Sequence, residues 1–103
     1  MARTKLTAVV AATDGGTLNW AVVMTGTERK VVTMMGDGSS KSTSVDTDED
    51  GKLRFTMTLN AFFGTSWKLS LTRDGDDKAC FEVSGVSDEH NLGHVDETTV
   101  TSC

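Results

Sequence analysis

The sequence predicts an all-β protein folded as a single antiparallel β-sandwich of about seven to eight strands. Three observations carry that expectation. Apolar residues recur with period two in run after run, as in Leu53, Phe55, Met57 and Leu59 against Arg54, Thr56 and Thr58. Gly, Asp and Asn turn signals fall between the runs at near-regular spacing. No window of a dozen residues keeps a helical period.

Taken in order, residues 6–12 form a Val/Ala strand that ends at Thr13-Asp14-Gly15-Gly16. Residues 18–24 alternate Leu18, Trp20, Val22 and Met24 against Asn19, Ala21 and Val23, so the first set is expected inside, although the other face is unusually apolar. Residues 30–35 supply Val32 and Met34 to the core. The polar stretch 40–45 suits an edge strand or a loop. Residues 53–59, 67–72 and 79–83 alternate most cleanly, with Trp67, Leu69, Leu71, Phe81 and Val83 directed inward. The Thr- and Val-rich tail, 95–101, reads as a last strand. No linker or clear repeat divides the chain, so residues 1–103 are expected to be one domain with a lean core.

Composition narrows the partners. Ten basic and fifteen acidic residues give a formal net charge of −5. An acidic surface repels phosphate backbones and anionic headgroups, which argues against nucleic acid and against membrane docking. No apolar run approaches the roughly 20 residues of a membrane span, so no membrane insertion is expected. The N-terminal apolar stretch is broken by Thr7 and reads as a strand, not a secretory signal. Two cysteines, Cys80 and Cys103, fit either one disulfide or two free thiols. Unpaired edge strands fit a monomer or a dimer.

Asp46-Thr47-Asp48-Glu49-Asp50-Gly51 places carboxylates at alternate positions before a glycine, as in the first half of a calcium loop. Asp46, Asp48 and Asp50 are therefore candidate calcium ligands. An EF-hand is excluded, because Met57 stands where its bidentate Glu belongs. The plain alternative is an acidic turn that keeps strand ends soluble. The segment Thr47-Asp48-Glu49-Asp50-Gly51-Lys52-Leu53-Arg54-Phe55, followed by Gly64-Thr65-Ser66-Trp67-Lys68-Leu69-Ser70-Leu71, resembles bacterial immunoglobulin-like modules of the prealbumin or carboxypeptidase-regulatory type. That resemblance implies an immunoglobulin-like sandwich in a non-catalytic adhesion or spacer role, and with it a lean toward a secreted or cell-surface location. The chain lacks the Pro and Tyr such modules commonly carry. The stretches 45–51, Ala79-Cys80 and Val86-Ser87-Asp88 are also similar to the small enediyne-carrying apoproteins of actinomycetes, which implies a small-ligand carrier. Those proteins have two disulfides, and two cysteines allow one.

Three further features are candidate sites. His90 and His94, set among Asp88, Glu89, Asp96 and Glu97, offer imidazoles to a metal such as zinc if the loop wraps round it, against the plainer reading of a solvated acidic loop. Phe62 and Phe63 are adjacent in a loop, where one is expected to plug the core and the other to face a partner. Trp67 heads the strand that follows and counts both as core and, with Phe62 and Phe63, as a partner contact. If strands 53–59 and 67–72 pair, Arg54, Thr56, Thr58, Lys68, Ser70 and Thr72 share a flat hydroxyl-rich face. Catalysis finds little support: there is no G-x-S-x-G, no P-loop and no dinucleotide fingerprint, Cys80 lacks an activating cation nearby in sequence, and although two His close to carboxylates could perform acid-base work, nothing marks a substrate pocket. The expected function is a non-catalytic module that binds a protein or carbohydrate through its loops. The alternatives are a small-ligand carrier and a calcium-dependent carbohydrate binder.

Overall fold

The computed structural model describes residues 3–25, 29–32, 40–101 and 103. These residues form eight strands and no helix: β1 (Lys5–Ala12), β2 (Leu18–Thr25), β3 (Arg29–Val32), β4 (Ser40–Asp46), β5 (Leu53–Ala61), β6 (Ser66–Arg73), β7 (Phe81–Val86) and β8 (Leu92–Val100). They build two four-stranded sheets, ordered β4-β1-β6-β7 and β3-β2-β5-β8, in which every neighbouring pair is antiparallel. The all-β sandwich expected from the period-two patterning is therefore the fold.

The core is the space between the sheets. The first sheet contributes Leu6, Ala8, Val10, Val45, Trp67, Leu69 and Leu71, all buried. The second contributes Leu18, Ala21, Val23, Leu53, Phe55, Met57, Leu59, Ala61, Val95 and Val100. Phe55 meets Phe81 across this space edge to face, with ring centroids 6.0 Å apart. Phe81 and Val83 are only half-buried, because β7 is an edge strand and leaves one flank open. The Val32 side chain and all of Met34 lie outside the described residues.

Strand β2 corrects the expected facing. Leu18 points inward as read, but Ala21 and Val23 follow it into the core, while Trp20 and Met24 are exposed and Val22 is half-buried. The cause is a break in register on β5: Leu18 pairs with Ala61, and Trp20 with Asn60, so Asn19 is an extra residue. One inserted residue moves all later side chains to the opposite face.

A second correction concerns the hydroxyl-rich face. Strands β5 and β6 belong to different sheets. Arg54, Thr56 and Thr58 thus lie on one outer surface of the sandwich, and Lys68, Ser70 and Thr72 on the other. On the latter, Lys68 Nζ stands 3.1 Å from Glu82 Oε2 and Ser70 Oγ lies 3.4 Å from the same oxygen.

Cys80 and Cys103 are joined in a disulfide, with Cα atoms 5.4 Å apart. Cys80 precedes β7 in one sheet and Cys103 follows β8 in the other, so the bridge ties the two sheets together.

The registers define two ends. Ala12 pairs with Trp67, and Ser66 with Val86, which brings the loops at 13–17, 62–65 and 87–91 together at one end. Lys5 pairs with Asp46, and Leu6 with Arg73, which puts the turn at 47–52 and the loop at 74–80 at the other.

Candidate functional site

The first end is organised around Phe62 and Phe63. The Thr65 N–H donates to the Phe62 carbonyl over 3.0 Å, closing a four-residue turn with Phe63 and Gly64 at its centre. Gly64 has φ of 86°, the left-handed value that the third position of a type II turn demands. A turn at this point, rather than an extended segment, removes the expected inside-outside alternation of the two aromatics. Both are exposed, Phe62 at 78% and Phe63 at 70%, so neither plugs the core.

This turn is tied to the chain around it. The Phe63 N–H donates to Asn91 Oδ1 (2.9 Å), the Ala61 N–H to the Asn91 carbonyl (3.0 Å) and the Gly64 N–H to the Ser87 carbonyl (3.1 Å). Asn60 Nδ2 donates to the same Asn91 carbonyl at 3.0 Å and accepts at Oδ1 from Asn19 Nδ2 at 2.7 Å. Asn91 itself has φ of 64°, a conformation Asn tolerates better than most residues.

Three Asp residues hold the corners where the chain passes from the first sheet to the second. Asp88 Oδ1 accepts from the N–H groups of His90 (2.9 Å) and Leu92 (3.0 Å), while Asn91 N–H donates to the Asp88 carbonyl. Asp48 does the same at the opposite end: its Oδ1 accepts from Asp50 and Lys52, both at 2.9 Å, and Gly51 N–H donates to its carbonyl. A buried hydroxyl residue precedes each, Ser87 and Thr47, and a left-handed residue follows, Asn91 and Gly51. Asp14 varies the device, taking Gly16 N–H at 3.0 Å on one oxygen and Ser66 N–H at 2.9 Å on the other. Sequence reasoning missed the first two corners as a matched pair, although the pattern Thr/Ser-Asp-Glu-x-Gly/Asn was there to be read at 47–51 and 87–91.

These hydrogen bonds favour the ionised carboxylate. Asp14 is held below its ordinary value of 3.8, first by the Ser66 N–H and then by that of Gly16. Asp88 is lowered likewise by the N–H groups of Leu92 and His90. Because the folded value is depressed, the stabilisation is fully present above 3.8 and is lost as pH falls through the lowered folded value. We expect the protection of the Leu92 and His90 amides, relative to their intrinsic exchange rates at each pH, to fall by roughly tenfold on acidification below that range, as each lost charge-assisted bond frees an N–H. Asp88→Asn, which keeps the accepting oxygen but cannot ionise, is expected to abolish the acid dependence. Exchange measured by NMR across a pH series checks this, and an unchanged pH profile in the variant would contradict it.

The expected metal ligands do not gather. Among the described residues no three His, Cys, Asp or Glu side chains are placed to hold one ion. Asp46 ends β4, and Asp48 and Asp50 sit in the turn beyond it. Asp48 Oδ1 is already engaged by two backbone N–H groups. This turn also lies at the opposite end from Phe62 and Phe63, roughly 26 Å away by the rise of β5, so the two features do not form one surface. His90 is exposed in the Asp88 turn, with Nε2 3.7 Å from Glu89 Oε1, and His94 lies along β8 opposite Thr58.

Trp67 is 3% exposed and offers no surface to a partner at the loop end, which corrects that expectation. Its ring lies between two glycines on the edge strands, Gly85 of β7 and Gly93 of β8. A Cβ at Gly85 would stand 2.6 Å from Cζ2, and one at Gly93 would collide with Nε1. The indole edge carrying Nε1, Cε2 and Cζ2 is thus turned toward the opening between β7 and β8. There Trp67 floors a cleft of about 400 Å³, walled by Val83, Val86, Leu92 and Val95 and rimmed by Asp88 and Asp96. Its Nε1 is the one buried side-chain N or O atom among the described residues without a hydrogen-bond partner.

No protein family, curated protein or solved structure matches this chain.

Proposed function

We propose that this protein is a non-catalytic recognition module that grips a protein or carbohydrate partner with the loop end of its sandwich. The observation that carries this reading is the exposure of Phe62 and Phe63 together on a turn held in place by the N–H groups of Ala61, Phe63 and Gly64, which donate to Asn91 and Ser87. Exposed aromatics on a rigid support are the usual anchors of binding surfaces, since they contribute large apolar area with little ordering cost. The carboxylates of Asp14, Asp88 and Glu89 stand on the adjoining corners and favour a cationic or hydroxyl-rich partner over an anionic one. An immunoglobulin-like role fits a two-sheet sandwich with its loops gathered at the ends. The Cys80–Cys103 bridge supports an oxidising, secreted or cell-surface setting.

The test pairs wild type with Phe62→Ser/Phe63→Ser on a glycan array and a basic-peptide array. Neither ring is packed in the core, so the melting temperature is expected to stay within about 2 °C of wild type. Binding to whichever probe wild type retains is expected to fall at least about tenfold, the loss of one hot-spot aromatic or more. Undiminished binding by the double variant, or no probe bound by wild type, would overturn the reading.

A further inference from the structure

We propose that the cleft between β7 and β8 is a second binding site, separate from the Phe62–Phe63 turn, for a small planar apolar molecule bearing a carbonyl-type acceptor. Three features of the cleft converge on that ligand class. Its floor and walls are apolar, formed by Trp67, Val83, Val86, Leu92 and Val95. Its volume of about 400 Å³ falls in the range of small-molecule sites and admits two or three fused rings. Trp67, though almost wholly buried, keeps an indole N–H with no acceptor. A buried donor left unpaired is costly, so it either serves an absent partner or is a persistent defect.

The placement of the donor favours the first. Glycines occupy both strand positions against the ring, so no side chain of β7 or β8 covers the indole edge at Gly85 and Gly93. Any larger residue at either position would displace the ring. The rim is acidic at Asp88 and Asp96, with His94 beside them, which favours a neutral or cationic ligand over an anion. Nε1 is sealed against Gly93 while the cleft is empty, so a carbonyl oxygen would accept from it as β7 and β8 part by a small amount, with its ring stacked within the apolar walls.

Coumarin and 2H-chromene test the assignment, since they share a bicyclic frame and differ in the carbonyl. The chain has two tryptophans, and Trp20→Phe assigns the indole N–H signals in a nitrogen-15 NMR spectrum. Coumarin is expected to move the Trp67 Nε1–H resonance downfield in a saturable manner. Chromene is expected to bind about fivefold more weakly, the worth of one neutral hydrogen bond, and to leave that proton in place. Val86 is 58% exposed and walls the cleft, so Val86→Phe should fill it without disturbing the core and abolish the coumarin shift. Ser84→Phe, also on the cleft wall and exposed, is the second blocking variant. Phe62→Ser/Phe63→Ser is expected to bind coumarin normally, which separates this site from the loop end. A Trp67 signal indifferent to coumarin, a shift that survives both blocking variants, or equal responses to the two probes would overturn the proposal.

Discussion

Cys80→Ala/Cys103→Ala is expected to melt about 15 °C below wild type, and wild type in strong reductant is expected to fall by a similar amount. The bridge closes a segment of 23 residues, for which the loss of unfolded-chain freedom is worth about 3 kcal/mol. In a domain of this size each kcal/mol moves the melting temperature by roughly 4–8 °C. Both sulfurs pack against the core, and alanine keeps the Cβ, so little of the loss should come from packing. Calorimetry with and without reductant measures it. A shift under about 3 °C would mean that the cross-link adds nothing to a pair of sheets already held by their interface.

Phe55→Ala is expected to be the most damaging single truncation, costing about 4 kcal/mol for the ring and the cavity left behind. Phe55 is 1% exposed at the centre of the second sheet and carries the edge-to-face contact with Phe81, which adds about 1 kcal/mol. That sum is a large part of the stability of an ordinary domain, so the variant should be partly unfolded at 37 °C. Phe81→Ala should cost clearly less, because Phe81 lies half-buried on an edge strand and already meets water. Urea titration with an unchanged slope would assign both losses to packing. Equal costs for the two would show that the flank beside β7 is as closely packed as the centre.

Much of the architecture was legible because alternation is a strong signal when the two faces differ. Along β5 and β6 apolar and polar residues strictly alternate, and every inward assignment from Leu53 to Leu71 holds. Along β2 both faces are apolar, so hydropathy could not choose between Trp20-Val22-Met24 and Ala21-Val23. The choice was made by an extra residue at Asn19, whose signature is a pairing register and not a local pattern. The same limit applies to pairing. Nothing in β5 or β6 alone says that they lie on opposite sheets, because consecutive strands often pair. The exposed turn at Phe62 was legible in part: Gly64 marks it, but the loss of alternation depends on the hydrogen bond from Thr65 back to Phe62. The cleft was not legible, since it needs Trp67, Gly85 and Gly93, from three strands, to meet.

The bridge and the Asp88 corner together close a continuous covalent hoop: Cys80, β7, the corner, β8 and Cys103. The cleft over Trp67 lies within that hoop. Its perimeter is therefore set by chain length. The two strands can bow apart at mid-length, but neither can peel from its tip. Entry is then sideways, with a ceiling on the girth of what passes. Cutting the sulfur–sulfur link would open the hoop between Cys80 and Cys103, and thiol reductants would act on the admission of large guests before they act on the affinity for small ones.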